Sequence, residues 1–207
     1  MIRCICFDLG GVMVKVRHHW KDVLDQLNIP HPAAGKLHDH RYEWETFKLF
    51  EIGKCSEEDY LDALGHYFHI SVEDAFHAHR AILLEEYPGL MTWISEVELN
   101  DYLTGCLSNT NSLHWKILND PVKYPAISRL SKKVLSFECG SAKPDPDIYL
   151  EFEKASGFFG DQILYFDDLE INIKAAKSLG WKGYVIDPAK EILPQIQFAA
   201  SLEGILS

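Results

Sequence analysis

The chain has 207 residues, a formal net charge of −11, 47% hydrophobic and 25% charged residues, the composition of a globular protein with room for one core and a sizeable insert. The acidic balance argues against a nucleic-acid backbone or an anionic membrane as the main partner, since both repel it. No apolar run approaches the ~20 residues of a membrane span, the chain enters its first strand without room for a signal peptide, and its five cysteines lack metal-binding spacing. These features predict a cytoplasmic protein with free thiols.

The predicted elements begin with Cys4-Ile5-Cys6-Phe7, a short apolar run without polar alternation. That is the pattern of a strand buried on both faces, and Cys4 and Cys6 read as its core residues. The run ends on Asp8, with Gly10 and Gly11 just beyond, so the backbone can turn sharply beside the carboxylate. A carboxylate at the C-terminal end of a central parallel strand lies where open α/β sheets bind ligands.

From Arg17 to Tyr87 the period becomes helical. Trp20, Val23, Leu24 and Leu27 share one helix face, and that helix stops near Pro30. A second helix carries Leu37, Trp44 and Phe47 toward Gly53. Ser56 with Asp59, and Ser71 with Asp74, each set a capping hydroxyl three residues before a carboxylate, which starts two more helices. Their apolar faces are Tyr60, Leu61, Leu64 and Phe68, then Val72, Ala75, Phe76, Ile82 and Leu83. The segment reads as an all-helical bundle, a cap over residues 17–88 ending at a Pro88-Gly89 hinge, inserted into a core made of residues 1–16 and 89–207.

A helix from Leu90 to Leu99 reopens the core, and strands then alternate with helices. Thr104 to Leu107 leads into Ser108-Asn109-Thr110-Asn111 and a helix through Trp115 and Leu118. Val134 to Phe137, Ile163 to Phe166 and Gly183 to Ile186 are the remaining strands. Asp145 as N-cap with Pro146 at the first helical position opens the helix of Ile148, Phe152 and Ala155. Another helix follows Asp167-Asp168 and stops at Gly180. The alternation predicts an α/β fold, a doubly wound parallel sheet with right-handed crossovers.

Four strand ends carry residues suited to one chemistry. Asp8 is a carboxylate nucleophile or a metal ligand. Ser108 and Asn109 offer a hydroxyl and backbone N–H groups to an anion. Lys143 brings positive charge, and Asp167 with Asp168 puts two carboxylates at one strand end, which calls for a cation. Each has an ordinary alternative as a helix cap or a surface residue. Together they describe a Mg²⁺ and phosphoryl site with an in-line nucleophile.

On these motifs the chain resembles the haloacid dehalogenase (HAD) superfamily of hydrolases. Phe7-Asp8-Leu9-Gly10-Gly11-Val12 is similar to the first family motif and Leu107-Ser108-Asn109-Thr110 to the second. Lys143-Pro144-Asp145-Pro146-Asp147-Ile148-Tyr149 is similar to the third, and Phe166-Asp167-Asp168 with Asn172 to the fourth, all in the family's order. Ser108 to Asn111 with His114 further resembles a branch of small sugar-phosphate phosphatases such as glucose-1-phosphatase. The resemblance implies a HAD-like, Rossmannoid core with a helical cap and a phosphatase acting on a small phosphorylated metabolite, with sugar phosphates the expected class. It implies that Asp8 attacks phosphorus and becomes an aspartyl-phosphate. Ser108, Asn109 and Lys143 would hold the phosphoryl group. Mg²⁺ would lie between Asp8, the Gly10 carbonyl, Asp168 and waters, with Asp167 bound to it or just behind.

One position departs from the family pattern. Its phosphatases mostly carry a second aspartate two residues after the nucleophile, as general acid and base, and here that position is Gly10. General acid–base catalysis commonly contributes ~10²–10⁴-fold, so another proton donor or a good leaving group is required. Two alternatives follow: a HAD-fold binding or regulatory protein without turnover, and a carbon–halogen hydrolase, whose halide leaves without a proton. Asp167-Asp168 counts against the second, because two carboxylates without a cation repel an anionic substrate. His18 and His19 stand at the entry to the cap, within reach of a substrate. His114 reads as a capping or packing residue, and Arg41, Tyr42 and Trp44 as cap-pocket or cap-core residues. The pairs His38/His40 and His77/His79 are spaced i, i+2 and do not converge on one helix face.

Overall fold

The computed structural model describes residues 1–31 and 44–205. Leu37, His38, His40, Arg41 and Tyr42 lie outside the described residues. Strand β1 (Cys4–Phe7) turns at Asp8 to Met13 into a short β2 (Val14–Val16). Helices α1 (Trp20–Gln26), α2 (Glu45–Glu51), α3 (Glu57–Phe68) and α4 (Val72–Arg80) follow, and β3 (Leu83–Glu86) returns. Beyond it lie α5 (Leu90–Leu99), β4 (Leu103–Ser108), α6 (Ser112–Leu118), α7 (Pro125–Arg129) and β5 (Lys132–Leu135). The chain continues through α8 (Ser136–Cys139), α9 (Pro146–Ser156), β6 (Ile163–Asp167), α10 (Glu170–Ser178), β7 (Lys182–Val185) and α11 (Ile192–Leu202). Among the described residues no helix is long and apolar enough to cross a membrane.

The five long strands form one parallel sheet in the order β5-β4-β1-β6-β7. The chain winds outward from β1 in one direction and then in the other, so a crevice opens beside β1 at the carboxyl edge. Register aligns the ends there: Phe7 lies opposite Cys106 on one side and Phe166 on the other. Every residue of β1 is fully buried, which explains its lack of alternation. Ile5 and Phe7 pack on one face with Trp93, Ile94, Ile127 and Ile196. Cys4 and Cys6 pack on the other with Tyr149, Phe152 and Trp181, and burial pushes the Cys4 thiol up to about 12.

A separate apolar cluster fills the helical insert: Trp20, Leu24, Phe47, Phe50, Tyr60, Leu64, Phe68 and Ala78, joined by Leu113 from α6. Phe50 stacks on Tyr60 at 4.2 Å between centroids. Both predicted hydroxyl caps form, with Ser56 and Ser71 accepting from the Asp59 and Asp74 N–H at 3.0 Å.

The expectation of unbroken helix through Leu83 needs correction. Helix α4 ends at Arg80, and Leu83–Glu86 pairs antiparallel with Val14–Val16. Backbone bonds from Arg17 N–H to the Ile82 carbonyl (2.9 Å) and from Tyr87 N–H to the Met13 carbonyl (2.9 Å) extend the ribbon. The partner strand is distant in sequence, so helical period within the segment could not reveal it. The edge strand β5 also shifts, to Lys132–Leu135, because Ser136 turns into α8 rather than continuing the strand. Helices α7 and α11 add to the predicted elements.

Candidate active site

Lys143 is the hub of the crevice. It is 5% exposed, and its Nζ lies 2.8 Å from Asp8 Oδ1 and 2.7 Å from Asp167 Oδ2. Burial alone would lower its pKa, but the charges of Asp167 and Asp8 outweigh that and hold it above the ordinary lysine value. Removing one partner from such a buried pair commonly costs about 3–5 kcal/mol. Asn109 fixes the lysine backbone from across the sheet edge: its Nδ2 donates to the Lys143 carbonyl at 2.9 Å, and its Oδ1 accepts from the Lys143 N–H at 2.7 Å. The predicted anion-binding Asn109 therefore spends its side-chain amide on the loop of the third motif.

Ser108 is different. It ends β4, is buried at the crevice, and its hydroxyl has no hydrogen-bond partner among the described residues. Ser136 shapes the turn that follows, accepting from the Thr110 N–H and donating to the Thr110 carbonyl, both at 2.9 Å.

Asp8, Asp167 and Asp168 each offer a carboxylate oxygen, all within 4.8 Å of one another. Their roles separate by hydrogen bonding. Asp167 is completely buried and accepts from Lys143 Nζ, the Tyr165 hydroxyl, the Leu169 N–H (2.8 Å) and Asn172 Nδ2 (3.0 and 3.1 Å). Asp168 is half-buried and has no ion-pair partner among the described residues. Burial pushes the Asp8 carboxyl up to about 7; Lys143 opposes the rise, and the Asp167 and Asp168 charges add to it. Burial and the Asp167 charge push Asp168 up to about 6. Hard oxygen donors crowded in this way suit a divalent cation such as Mg²⁺.

The two glycines after Asp8 differ. Gly11 has φ +77°, and a Cβ there would lie 2.8 Å from Asp168 Oδ2, so only glycine lets the turn pass that carboxylate. A Cβ on Gly10 would meet only Val16 Cγ1, at 3.7 Å.

Above these groups lies a cavity of about 390 Å³. Asp8, Gly10, Ser108, Lys143 and Asp168 line it below, with His18, Phe47, Glu51, Ile82 and His114 from or beside the insert. His19 does not line it; it is the exposed N-cap of α1. Val16, Leu83, Leu169 and Ile171 supply apolar wall.

One polar group escaped sequence reasoning. His79 is fully buried and stacks on His114 at 4.0 Å. Asn111 caps α6 by accepting from the His114 N–H at 3.0 Å, and its Oδ1 also lies 3.1 Å from His79 Nε2. His114 Nε2 faces the His79 carbonyl at 3.0 Å, and the Tyr60 hydroxyl faces His79 Nδ1 at 2.8 Å. The carbonyl can only accept, so His114 carries its proton on Nε2; Asn111 Oδ1 imposes the same tautomer on His79. Glu57 of α3 adds bonds from Ser112 Oγ (2.6 Å) and Lys116 Nζ (2.7 Å). The insert is thus fastened to the helix that follows Ser108. The spacing of His77 and His79 gave no sign of this; the signal lay in Asn111, a capping residue type directly before α6.

A parallel sheet gathering Asp8, Ser108, Lys143, Asp167 and Asp168 at its carboxyl edge defines a hydrolase class. The chain belongs to the haloacid dehalogenase-like hydrolases, whose family model matches residues 2–180. It is 27% identical over 199 residues to the D-ribitol-5-phosphate phosphatase of Bacteroides thetaiotaomicron, across 89% of this chain and 91% of that protein. A HAD-like family hydrolase from Porphyromonas gingivalis superposes with a TM-score of 0.78 at 27% identity, spanning 96% of this chain and 97% of the other. A HAD family enzyme from Bacteroides thetaiotaomicron, solved in complex with magnesium and inorganic phosphate, superposes with a TM-score of 0.77 over 94% of this chain and 98% of that one. Its identity is 22%, so that likeness is one of fold.

Proposed function

We propose that this chain is a Mg²⁺-dependent phosphatase of a small phosphorylated metabolite, a sugar or polyol phosphate, working through an aspartyl-phosphate on Asp8. The observation that carries the reading is the Lys143 ammonium 2.8 Å from Asp8 Oδ1, at the floor of a cavity that Ser108 and Asp168 also line. The similarity to a ribitol-phosphate phosphatase supports it. In this reading residues 1–16 and 89–207 carry the chemistry, and residues 17–88 cover the leaving group.

Asp8 attacks phosphorus, forming the O–P bond of the acyl phosphate as the bond to the leaving alkoxide breaks. Water then attacks the same phosphorus, and Asp8 is released as carboxylate. Lys143 and the Ser108 hydroxyl neutralise and hold the phosphoryl oxygens, and Asn109 takes part through its backbone N–H while its side chain holds Lys143 in place. Asp8, Asp168 and the Gly10 carbonyl would hold Mg²⁺, which offsets the repulsion between the Asp8 carboxylate and the phosphate dianion. Asp167 serves Lys143.

An aryl-phosphate assay with and without EDTA tests this reading. Metal-dependent release of phosphate that disappears in Asp8→Asn is expected; activity that survives either change refutes it. Gly10 favours the competing reading of a HAD-fold protein that binds without turnover. Millimolar phosphorylated metabolites that bind without phosphate release would decide for that alternative.

A further inference from the structure

Tyr165 has no part in the four motifs or in the roles assigned above, yet its hydroxyl sits among the most polar groups of the site. It is completely buried, with its ring wedged edge-on against Tyr149 at 6.2 Å and Trp181 at 5.6 Å. An ammonium carries three N–H donors and no lone pair. Lys143 Nζ has three acceptors: Asp167 Oδ2 at 2.7 Å, Asp8 Oδ1 at 2.8 Å and the Tyr165 hydroxyl oxygen at 3.0 Å. Because the tyrosine oxygen accepts from lysine, its own proton goes to Asp167 Oδ2, with which it makes a short contact.

We propose that Tyr165 is a positioning residue: its hydroxyl completes the acceptor tripod of Lys143 and, by donating to Asp167, keeps that carboxylate turned toward the lysine. The tripod stops rotation of the ammonium and keeps one N–H aimed at Asp8 Oδ1. Without the hydroxyl, one N–H of a buried cation has no acceptor. Asp167 also loses the donor that helps hold Oδ2 in place. Hydrogen bonds to charged groups are strong enough for a roughly 10- to 100-fold effect.

The kinetic part of the test rests on the phosphatase reading; a spectroscopic part does not. The full chain labelled with ¹⁵N-lysine reports the Lys143 ammonium by its ¹H–¹⁵N signal, assigned by its disappearance in Lys143→Met. Burial and three acceptors predict a signal with slow proton exchange in the unsubstituted protein. In Tyr165→Phe that signal should broaden, and kcat should fall roughly 10- to 100-fold with KM changed less than about twofold. Tyr124→Phe is the structural control: it removes another tyrosine hydroxyl of the core, bonded to the Leu84 carbonyl at 2.7 Å, and should lower Tm without moving kcat or the ammonium signal. An unchanged signal and kcat in Tyr165→Phe would overturn the proposal, as would an equal kcat loss in Tyr124→Phe. Should Tyr165→Phe fail to fold, a Lys143 ammonium exchanging as fast as surface lysines in the unsubstituted protein would overturn it too. A protein with the slow ammonium signal but no phosphatase activity would refute the functional reading and leave the tripod standing.

Discussion

Substituting aspartate for Gly10 tests how the chain manages without the usual acid and base. The site has room for the change: a Cβ there meets only Val16 Cγ1 at 3.7 Å, an ordinary contact, and Gly10 lines the cavity. No positive φ requires glycine, in contrast to Gly11 at +77°. A general acid is commonly worth ~10²–10⁴-fold, or roughly 3–5 kcal/mol of barrier. That gain is available only where the leaving group needs a proton, so it is large for an alkoxide and small for a phenolate. The assay compares kcat of the unsubstituted protein and Gly10→Asp on a polyol phosphate and on an aryl phosphate. The polyol phosphate should gain roughly 100-fold or more and the aryl phosphate less than about threefold. Equal gains on both substrates, or an unsubstituted enzyme already insensitive to leaving-group pKa, would refute the reasoning. In the second case the proton comes from elsewhere, and His18, which lines the cavity, is the residue whose alanine variant should create the missing sensitivity.

Asp168→Asn should weaken Mg²⁺ binding, a loss that excess metal partly rescues, whereas Asp167→Asn should cost roughly 100-fold or more in kcat without metal rescue; Mg²⁺ titrations of both variants separate the two roles. Gly11→Ala forces a side chain into the left-handed region and against Asp168, so urea denaturation should show a loss of about 1–2 kcal/mol together with weaker Mg²⁺ binding. Glu86 of β3 accepts from the Ala126 and Ile127 N–H groups at 3.0 and 3.1 Å, and burial raises its pKa. The folded state then binds more protons than the unfolded state just above the ordinary carboxylate range, so this group's contribution to stability falls as pH rises through that window. In Glu86→Gln, Tm measured across the window should lose that downward component; an unchanged slope would show that another group causes it.

Much of the site was legible because most of its residues stand at or next to the end of a strand, Lys143 in the loop after α8 being the exception. A carboxylate after Cys4-Ile5-Cys6-Phe7, a serine at the end of β4 and two aspartates at the end of β6 are local facts, and parallel register brings strand ends to one edge whatever the helices do. Helix starts at Ser56, Ser71 and Asp145 were equally local, because a cap bonds to a backbone group two or three residues away. The division of labour between Asp167 and Asp168 was not legible. Adjacent carboxylates look alike in sequence, and only the fold decides which of them meets Lys143, Tyr165 and Asn172.

The amino-acid sequence alone therefore determined the parallel sheet and the residue types near its strand ends, since these depend on residue type and short-range period; the missing acid at Gly10 showed only against the family it resembles. Tertiary structure decided what depends on distant partners. It paired Val14–Val16 with Leu83–Glu86, turned the Asn109 amide onto the Lys143 backbone, and stacked His79 on His114. Tyr165 makes the distinction clearest. In sequence it is one more aromatic residue of a buried strand, and its hydroxyl acquires a role only because the fold brings a lysine from a loop 22 residues upstream to within 3.0 Å.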